Sequence, residues 1–540
     1  MKKSFNKITA LFMTIMSLAV LFLGCKTEPD FTQEGVTIDG STLGANPMGF
    51  IEYPLDDYDG KEIKITFSAK MQVTNNSGKD AFLMWQINTS SYPIIASHTF
   101  GPGKSNWVEV KGSMDSSVLV ENNVIYLSTY QLDPSKFIIS LKNVKYSISA
   151  STPVQYENEK VWTDSTLPSL KDTYEDLFKY TGIAVTGSEL TNAKIQAGLK
   201  KHCNTITMGN EFKPDFVMQW WGNPTVSSES FTASNGITIK TPVLKGLSSL
   251  DNYLEICRKN GMKMRGHVLV WHSQTQDAFF CKDYNTANAL VGKAEMTARQ
   301  EWYIKTVLEY VAAWEAKNNN GEHIIWAWDV VNEAIADGSS SLRTNSKWYD
   351  IYKSDEFIVN AFRFANKYAP SDVLLCYNDY NCTDGTKRTG MVKVLKNIIS
   401  HETDETLPTR IDAMGMQSHI SVNTSTSSFV SAVKDYLNLG LDVQVTELDI
   451  ATETNYKPST LAKWYYDFFK LFIKYRKTES SNGISTITIW GINDESTWLN
   501  SKDQMQWHGN VKQYPLLFRK NASGEIITKE AFDKVIEAAQ

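Results

Sequence analysis

The chain has 540 residues, 42% hydrophobic and 21% charged, a balance that suits a soluble globular protein with room for large cores. Its formal net charge of −6, without a long basic run, removes the electrostatic case for nucleic acid and favours a neutral or weakly charged partner. At this length more than one domain is expected.

In chain order, Lys2, Lys3 and Lys7 precede an apolar run from Ile8 to Leu23 that ends in Gly24 and Cys25. A run this short behind a basic start predicts a signal peptide over residues 1–24, with no spanning helix in the mature chain. The stretch "LFLGC" resembles a bacterial lipoprotein box, with Phe22 where Leu is usual, which implies cleavage before Cys25 and a lipid on its sulfur. The alternative is a plain secretory signal with an incidental Cys25. Either way the chain is expected to be exported, at the bacterial cell surface or outer membrane if lipidated, and to touch a membrane only through that lipid. The other cysteines, Cys203, Cys257, Cys281, Cys376 and Cys382, are sparse and odd in number. Their spacing argues against both a disulfide framework and a zinc site.

After a polar linker at 25–35, residues 36–150 keep a period of two. In "KEIKITFSAKMQV", Ile63, Ile65, Phe67, Ala69, Met71 and Val73 alternate with polar residues, which predicts a strand with one buried and one wet face. Shorter runs follow at "WVEV", "NVIYLSTY" and "VKYSIS", separated by turn-rich pieces and without a long helix. An all-β sandwich of jelly-roll type is the expected fold. Trp85, Tyr92, Trp107, Tyr126 and Tyr130 are candidates either for sugar stacking or for the core. The segment lacks motif-framed carboxylate pairs, so binding or spacing is expected from it, and a structural calcium ion stays open.

A second linker is expected at 151–165, and from 166 to 540 apolar runs of four to eight residues alternate with helical patterns. In "EWYIKTVLEYVAAW", Ile304, Val307, Leu308 and Val311 fall at helical spacing, and in "LAKWYYDFFKLF" Leu461, Trp464, Tyr465, Phe468 and Phe472 form one stripe. The candidate strands are "GIAV", "TITM", "MKMRGHVLV", "IIWAWDVV", "VLLCYN", "DAMGMQSH", "DVQVTE" and "ISTITIWG". Eight such units predict an α/β fold, a (β/α)8 TIM barrel whose strands feed one active face with their C-terminal ends.

Polar residues collect at those ends. Strand two is followed by Asn210 and Lys213, and strand three ends in His267 and Trp271. Strand four delivers Asn332 and Glu333, strand five Asn378 and Tyr380, strand six Gln417 and His419. Strand seven delivers Glu447 and Asp449, and strand eight Trp490, with Trp498 shortly after. Two carboxylates facing across a barrel mouth are what glycosidic cleavage needs, one protonated to serve the leaving oxygen and one ionised to attack the anomeric carbon. The bland reading of each Glu is a rim salt bridge, and of each aromatic residue a core position. Trp271, Trp490 and Trp498 offer stacking faces, while Asn210, Lys213, His267 and Gln417 offer hydrogen bonds to hydroxyls. His419 beside Glu447 is a candidate donor that Asp449 would orient.

Taken in order, "GHVLVWHSQ", "WDVVNEA", "YNDYN", "GMQSH", "VTELD" and "ITIWG" resemble the successive signatures of glycoside hydrolase family 10, the retaining endo-β-1,4-xylanases. The resemblance covers residues 166 to 540. It implies that Glu333 is the acid/base and Glu447 the nucleophile, that His419 and Asp449 support the nucleophile, and that Asn332 bonds a sugar 2-hydroxyl. It also implies that Asn210, Lys213, His267, Trp271, Gln417, Trp490 and Trp498 line the glycone subsites, with Asn378 and Tyr380 nearby across the cleft. One departure is Gly209, which stands where the family usually has Glu. The front segment resembles, more loosely, a xylan-binding carbohydrate module. Xylan and xylo-oligosaccharides are the implied partners, no cofactor is required, and a monomer is expected. A barrel glucanase acting on cellulose or mixed-linkage glucan, and a silent glycan-binding lipoprotein, are the competing readings.

Overall fold

Alternation in the sequence translates directly into the longest strand of the front segment, Ile63–Asn75, whose Ile65, Phe67, Ala69, Met71 and Val73 are buried while Lys70 is exposed. The computed structural model describes residues 31–33, 36–39, 52–54, 63–87, 94–116, 124–128, 133–150, 159–452, 456–508 and 511–540. The leader, Cys25, Tyr92 and Tyr130 lie outside the described residues. The chain divides into two compact units, residues 1–153 with 505–512, and 154–504 with 513–540.

In the first unit, Ile63–Asn75 pairs antiparallel with Phe137–Ala150 on one side and Val108–Ser116 on the other. A second antiparallel sheet holds Glu52–Pro54, Ala81–Ile87, Ile94–Phe100 and Val124–Ser128. Side chains of both sheets share one apolar core, in which the Phe67 and Trp85 ring centroids lie 4.4 Å apart. Trp85 is therefore a core residue, and Tyr126 is buried too, whereas Trp107 is 40% exposed. The expected linker at 25–35 is shorter than its composition suggested. Phe31–Gln33 pairs with Val144–Tyr146, because backbone hydrogen bonds recruit an edge strand whatever its polarity.

All eight expected barrel strands form: Tyr180–Val185, Thr205–Met208, Lys263–Trp271, Ile325–Asn332, Leu374–Asp379, Ala413–Met416, Asp442–Ala451 and Ile484–Ile489. Each pairs in parallel with the next, and the first also pairs with the last, so the sheet closes. Closure removes both edges and fixes which ends share a mouth. Strand seven runs past its expected end at Glu447, because a short strand, His419–Ser421, pairs with Asp449–Ala451. The predicted helices form as Lys293–Asn318 and Pro458–Lys474, and their stripes are buried against the barrel except for the half-buried Trp464. The five described cysteines are free and buried.

Two features escaped the sequence reading. A hairpin, Val226–Thr232 with Thr238–Pro242, follows strand two; its half-exposed, Ser-rich strands carry little hydrophobic signal. The expected linker at 151–165 also ends early. Trp162 is 3% exposed, its backbone N–H reaches the Ile526 carbonyl at 3.0 Å, and its indole lies where any Cβ on Gly198 would clash at 2.1 Å. Among the described residues, no group of three or more His, Cys, Asp or Glu is placed to hold a metal ion, and no helix is long and apolar enough to cross a membrane.

The C-terminal helix Glu530–Ala538 is joined to the loop after strand eight by a buried ion pair. Lys529 Nζ donates to Asp494 Oδ2 at 2.6 Å and to the Tyr514 carbonyl at 2.9 Å. Burial pushes Asp494 up to about 6 even with Lys529 opposing it. Lys529→Met removes the counter-ion and leaves that buried carboxylate only the Leu516 N–H at 2.9 Å, so a loss of about 3–5 kcal/mol is expected, read as a lower urea midpoint of the barrel unit.

Candidate active site

Register sets the site. Trp271, Asn332, Asn378 and Gly415 are successive cross-strand partners on strands three to six, so their side chains form one row at the barrel mouth. Gly415 is needed there, since a Cβ would lie 2.3 Å from Asn378 Oδ1. The space lets the Asn378 amide turn along the row. Its Nδ2 donates to Asn332 Oδ1 at 3.0 Å and to Glu447 Oε1 at 2.8 Å. Gln417 Nε2 likewise donates to Asn332 Oδ1 at 3.1 Å and to Glu333 Oε1 at 2.8 Å. Two amides thus tie both carboxylates to one asparagine.

Glu333 is the first residue past strand four and has φ 55, the left-handed region. A non-glycine residue held there costs roughly 1–3 kcal/mol. Three contacts hold it: its N–H donates to the Asn378 carbonyl at 2.9 Å, Arg343 Nε donates to its carbonyl at 3.3 Å, and Trp271 Nε1 donates to Oε2 at 2.9 Å. Its carboxylate hydrogen bonds, from Trp271 and Gln417, come from neutral donors.

Glu447 is 4% exposed and differently served. His419 Nε2 lies 3.2 Å from Oε2, and His419 Nδ1 lies 3.0 Å from Asp449 Oδ1. Asp449 is fully buried and accepts from Trp498 Nε1 at 2.7 Å. Burial alone would depress His419, but Asp449 and Glu447 on either side push it up to about 10, so it is a cation at neutral pH. Burial would raise Glu447, yet the His419 hydrogen bond and the His267 and His419 imidazoles hold it below the usual carboxylate range.

The remaining expected residues surround this pair. Lys213 Nζ lies 3.3 Å from Asn210 Oδ1 and 5.0 Å from the Trp271 ring centre; burial depresses its ammonium, and Glu447 and Glu333 partly offset that. Trp490 meets His267 and His419 edge-on, at 5.6 and 6.2 Å. The Trp498 ring lies 4.7 Å from His419 and is 37% exposed, so it both positions Asp449 and faces solvent. Tyr380 OH donates to Asp337 Oδ2 at 2.5 Å and accepts from Arg343 Nη2 at 2.9 Å. Gly209 follows strand two with ordinary backbone, and a Cβ there would meet only the Val185 carbonyl at 3.6 Å. The glycine therefore opens space and answers no demand of the backbone.

The sequence reading missed a second layer. His267 Nδ1 donates to Asp329 Oδ2 at 2.9 Å, and Arg265, fully buried, binds both Asp329 and Gln444. Burial would raise Asp329, and Arg265 beside it keeps it low. Lys387, also fully buried, holds Asp337 at 2.9 Å and Asp379 at 3.1 Å under Tyr380. The available signal was a charge inside an apolar strand, as with Arg265 and Asp329, which is retained only when paired.

A Trp-lined mouth with two carboxylates in unlike settings suits a sugar chain. The family model for glycosyl hydrolase family 10 matches residues 169–538. The chain belongs to glycosyl hydrolase family 10. Endo-1,4-beta-xylanase A of Thermotoga maritima is 30% identical over 481 residues, covering 85% of this chain and 40% of that protein. A putative endo-1,4-beta-xylanase of Caldicellulosiruptor saccharolyticus is 37% identical over 283 residues, covering 49% of this chain and 85% of its own. The chain spans 40%, 31% and 53% of three large curated relatives that it matches. An intracellular xylanase of Thermoanaerobacterium saccharolyticum solved with xylotriose superposes with TM-score 0.55 at 28% identity, covering 69% of this chain and 99% of that one. CBM22-1 and GH10 modules of a Clostridium thermocellum xylanase share the fold over 94% of both chains, with TM-score 0.55 and 24% identity.

For this family 10 site, His419→Gln removes the cation beside Glu447. The acid limb of kcat/KM against pH is then expected to move to higher pH, as the Glu447 carboxyl gains protons more readily. In the folded protein His419 titrates near 10 against an ordinary 6.5, so its stabilisation is complete below pH 6.5 and lost as pH rises to about 10. The difference in thermal midpoint between wild type and H419Q should narrow over that window.

Proposed function

We propose that the protein is a retaining endo-1,4-β-xylanase with Glu333 as acid/base and Glu447 as nucleophile. The observation that carries this reading is the amide bridge through Gln417, Asn332 and Asn378, which joins two carboxylates in unlike surroundings. Glu447 faces the His419 cation, so it stays ionised and able to attack. Glu333 takes hydrogen bonds from neutral donors, which suits a carboxyl that must both release and recover a proton. In the first step Glu447 bonds to the anomeric carbon as the glycosidic C–O bond breaks, and the Glu333 proton goes to the leaving oxygen. In the second, Glu333 takes a proton from water, the water oxygen bonds to the anomeric carbon, and Glu447 departs with its electron pair. Asn332, at the centre of the bridge, is read as the partner of the sugar 2-hydroxyl.

Xylan as substrate is supported by the names of the curated relatives and by the xylotriose complex of a structurally similar xylanase. On the same basis we read the front sandwich as a jelly-roll, xylan-binding module, in line with its fold likeness to a two-module xylanase. Lipidation at Cys25, surface location, a monomeric state and independence of cofactors belong to the proposal as well.

Glu447→Ala is expected to lower turnover of xylan by at least about 10³-fold while binding persists. Glu333→Ala should lose about 10²–10⁴-fold on xylan and far less on aryl xylosides with good leaving groups, which need no acid in the first step. Equal losses on both substrates would remove the acid role. Turnover of soluble cellulose at or above that of xylan would favour a glucanase, and xylan binding without release of reducing sugar a silent module. Because Gly209 leaves room for a side chain, Gly209→Glu is expected to lower KM for xylo-oligosaccharides with little change in kcat.

A further inference from the structure

Four lysines crowd the outer face of the larger front sheet. Lys142 of Phe137–Ala150 stands directly opposite Lys70 of Ile63–Asn75, and Lys70 opposite Glu109 of Val108–Ser116. Further along, Lys145 and Lys111 flank Ser68 from its two sides. Like charges directly opposite each other destabilise a sheet. A bulge creates the cluster: the register slips between Lys142 and Lys145, with Asn143 at φ 53. The extra residue turns Val144, 1% exposed, into the core and brings both lysines to the outer face. Glu109, 3.5 Å from Lys111 and exposed like it, offsets one of the four.

The same face carries the exposed large apolar side chains of the described part of residues 31–150, Trp107 at 40% and Ile138 at 38%. Lys142 Nζ sits 3.9 Å from the Trp107 ring centre, and Ile138 precedes Lys142 on the same strand. Clustered ammonium groups with an aromatic and an aliphatic side chain on one open face are the composition of a surface that lies against anionic headgroups. The course of the chain agrees. Phe31–Gln33 pairs with the Phe137–Ala150 strand, placing Thr32 opposite Lys145. Cys25 is six residues before Phe31, a reach of at most about 20 Å.

We propose that the face bearing Lys70, Lys111, Lys142, Lys145, Trp107 and Ile138 docks on an anionic lipid bilayer, where the segment before Phe31 tethers it. Docking goes beyond the xylanase reading and does not rest on it; the tether alone rests on the lipid read at Cys25. The test is amine-reactive labelling of the full chain, read by mass spectrometry, on vesicles of phosphatidylcholine alone or with one third phosphatidylglycerol. On the anionic vesicles the four lysines should label at least about threefold more slowly, and high salt should abolish the protection. Lys463, on an outer barrel helix and 72% exposed, serves as the unchanged reference. In the folded double variant K70Q/K145Q, affinity for the anionic vesicles should fall about 30-fold and Lys111 and Lys142 should lose protection. Xylan hydrolysis by that variant should match wild type, so loss of docking reads separately from failure of the xylanase assignment. Equal labelling on both vesicle types overturns the proposal. So does protection by soluble polygalacturonate where anionic vesicles give none, which would make the face an acidic-glycan site.

Discussion

The side-chain amide of Asn378 is the interaction on which the candidate active site depends. Its two hydrogens go to Asn332 and Glu447, and the contact exists because strand register sets Asn378 beside Asn332 and a glycine at 415 leaves space. Gln417 repeats the arrangement toward Glu333. A buried carboxylate is tolerated only when donors replace its water, and here the donors also fix the position of each carboxylate relative to the other.

The same requirement extends outward. Glu447 relies on His419, His419 on Asp449, and Asp449 on the Trp498 indole, so a loop after strand eight helps to set the charge of a residue on strand seven. On the opposite wall, Arg343 grips the carbonyl of left-handed Glu333 and the hydroxyl of Tyr380, and Lys387 neutralises the aspartates beneath. The Glu447 carboxylate faces the His419 cation and the Asn378 amide, whereas the hydrogen bonds to the Glu333 carboxylate come from the neutral Trp271 and Gln417 side chains. That asymmetry is what an acid/base and a nucleophile need from one scaffold.

Much of this was legible in the sequence. Eight apolar runs, each followed by a helical pattern, are what a parallel barrel needs to bury both faces of its strands, and in that fold the polar residues that follow them share one mouth. Glu333 and Glu447 were readable because each lies beside a polar partner at a strand tip. The roles of Arg265, Asp329 and Lys387 were not, because their partners are distant in sequence and a lone charge carries no label for what it will pair with. The Val226–Thr232 hairpin was missed for the complementary reason, since exposed strands leave no apolar period.

By itself, then, the sequence determined the barrel, the β-rich front segment, and which strand ends bring polar residues to the candidate site, since periodicity and local composition are properties of adjacent residues. Only the tertiary structure decided that Trp85 belongs to the core while Trp107 does not, that Trp162 belongs to the barrel, and that a bulge at Asn143 gathers lysines on one face. Those outcomes depend on register and on contacts between residues far apart in the chain, where a shift of one position moves a side chain from one face of a sheet to the other.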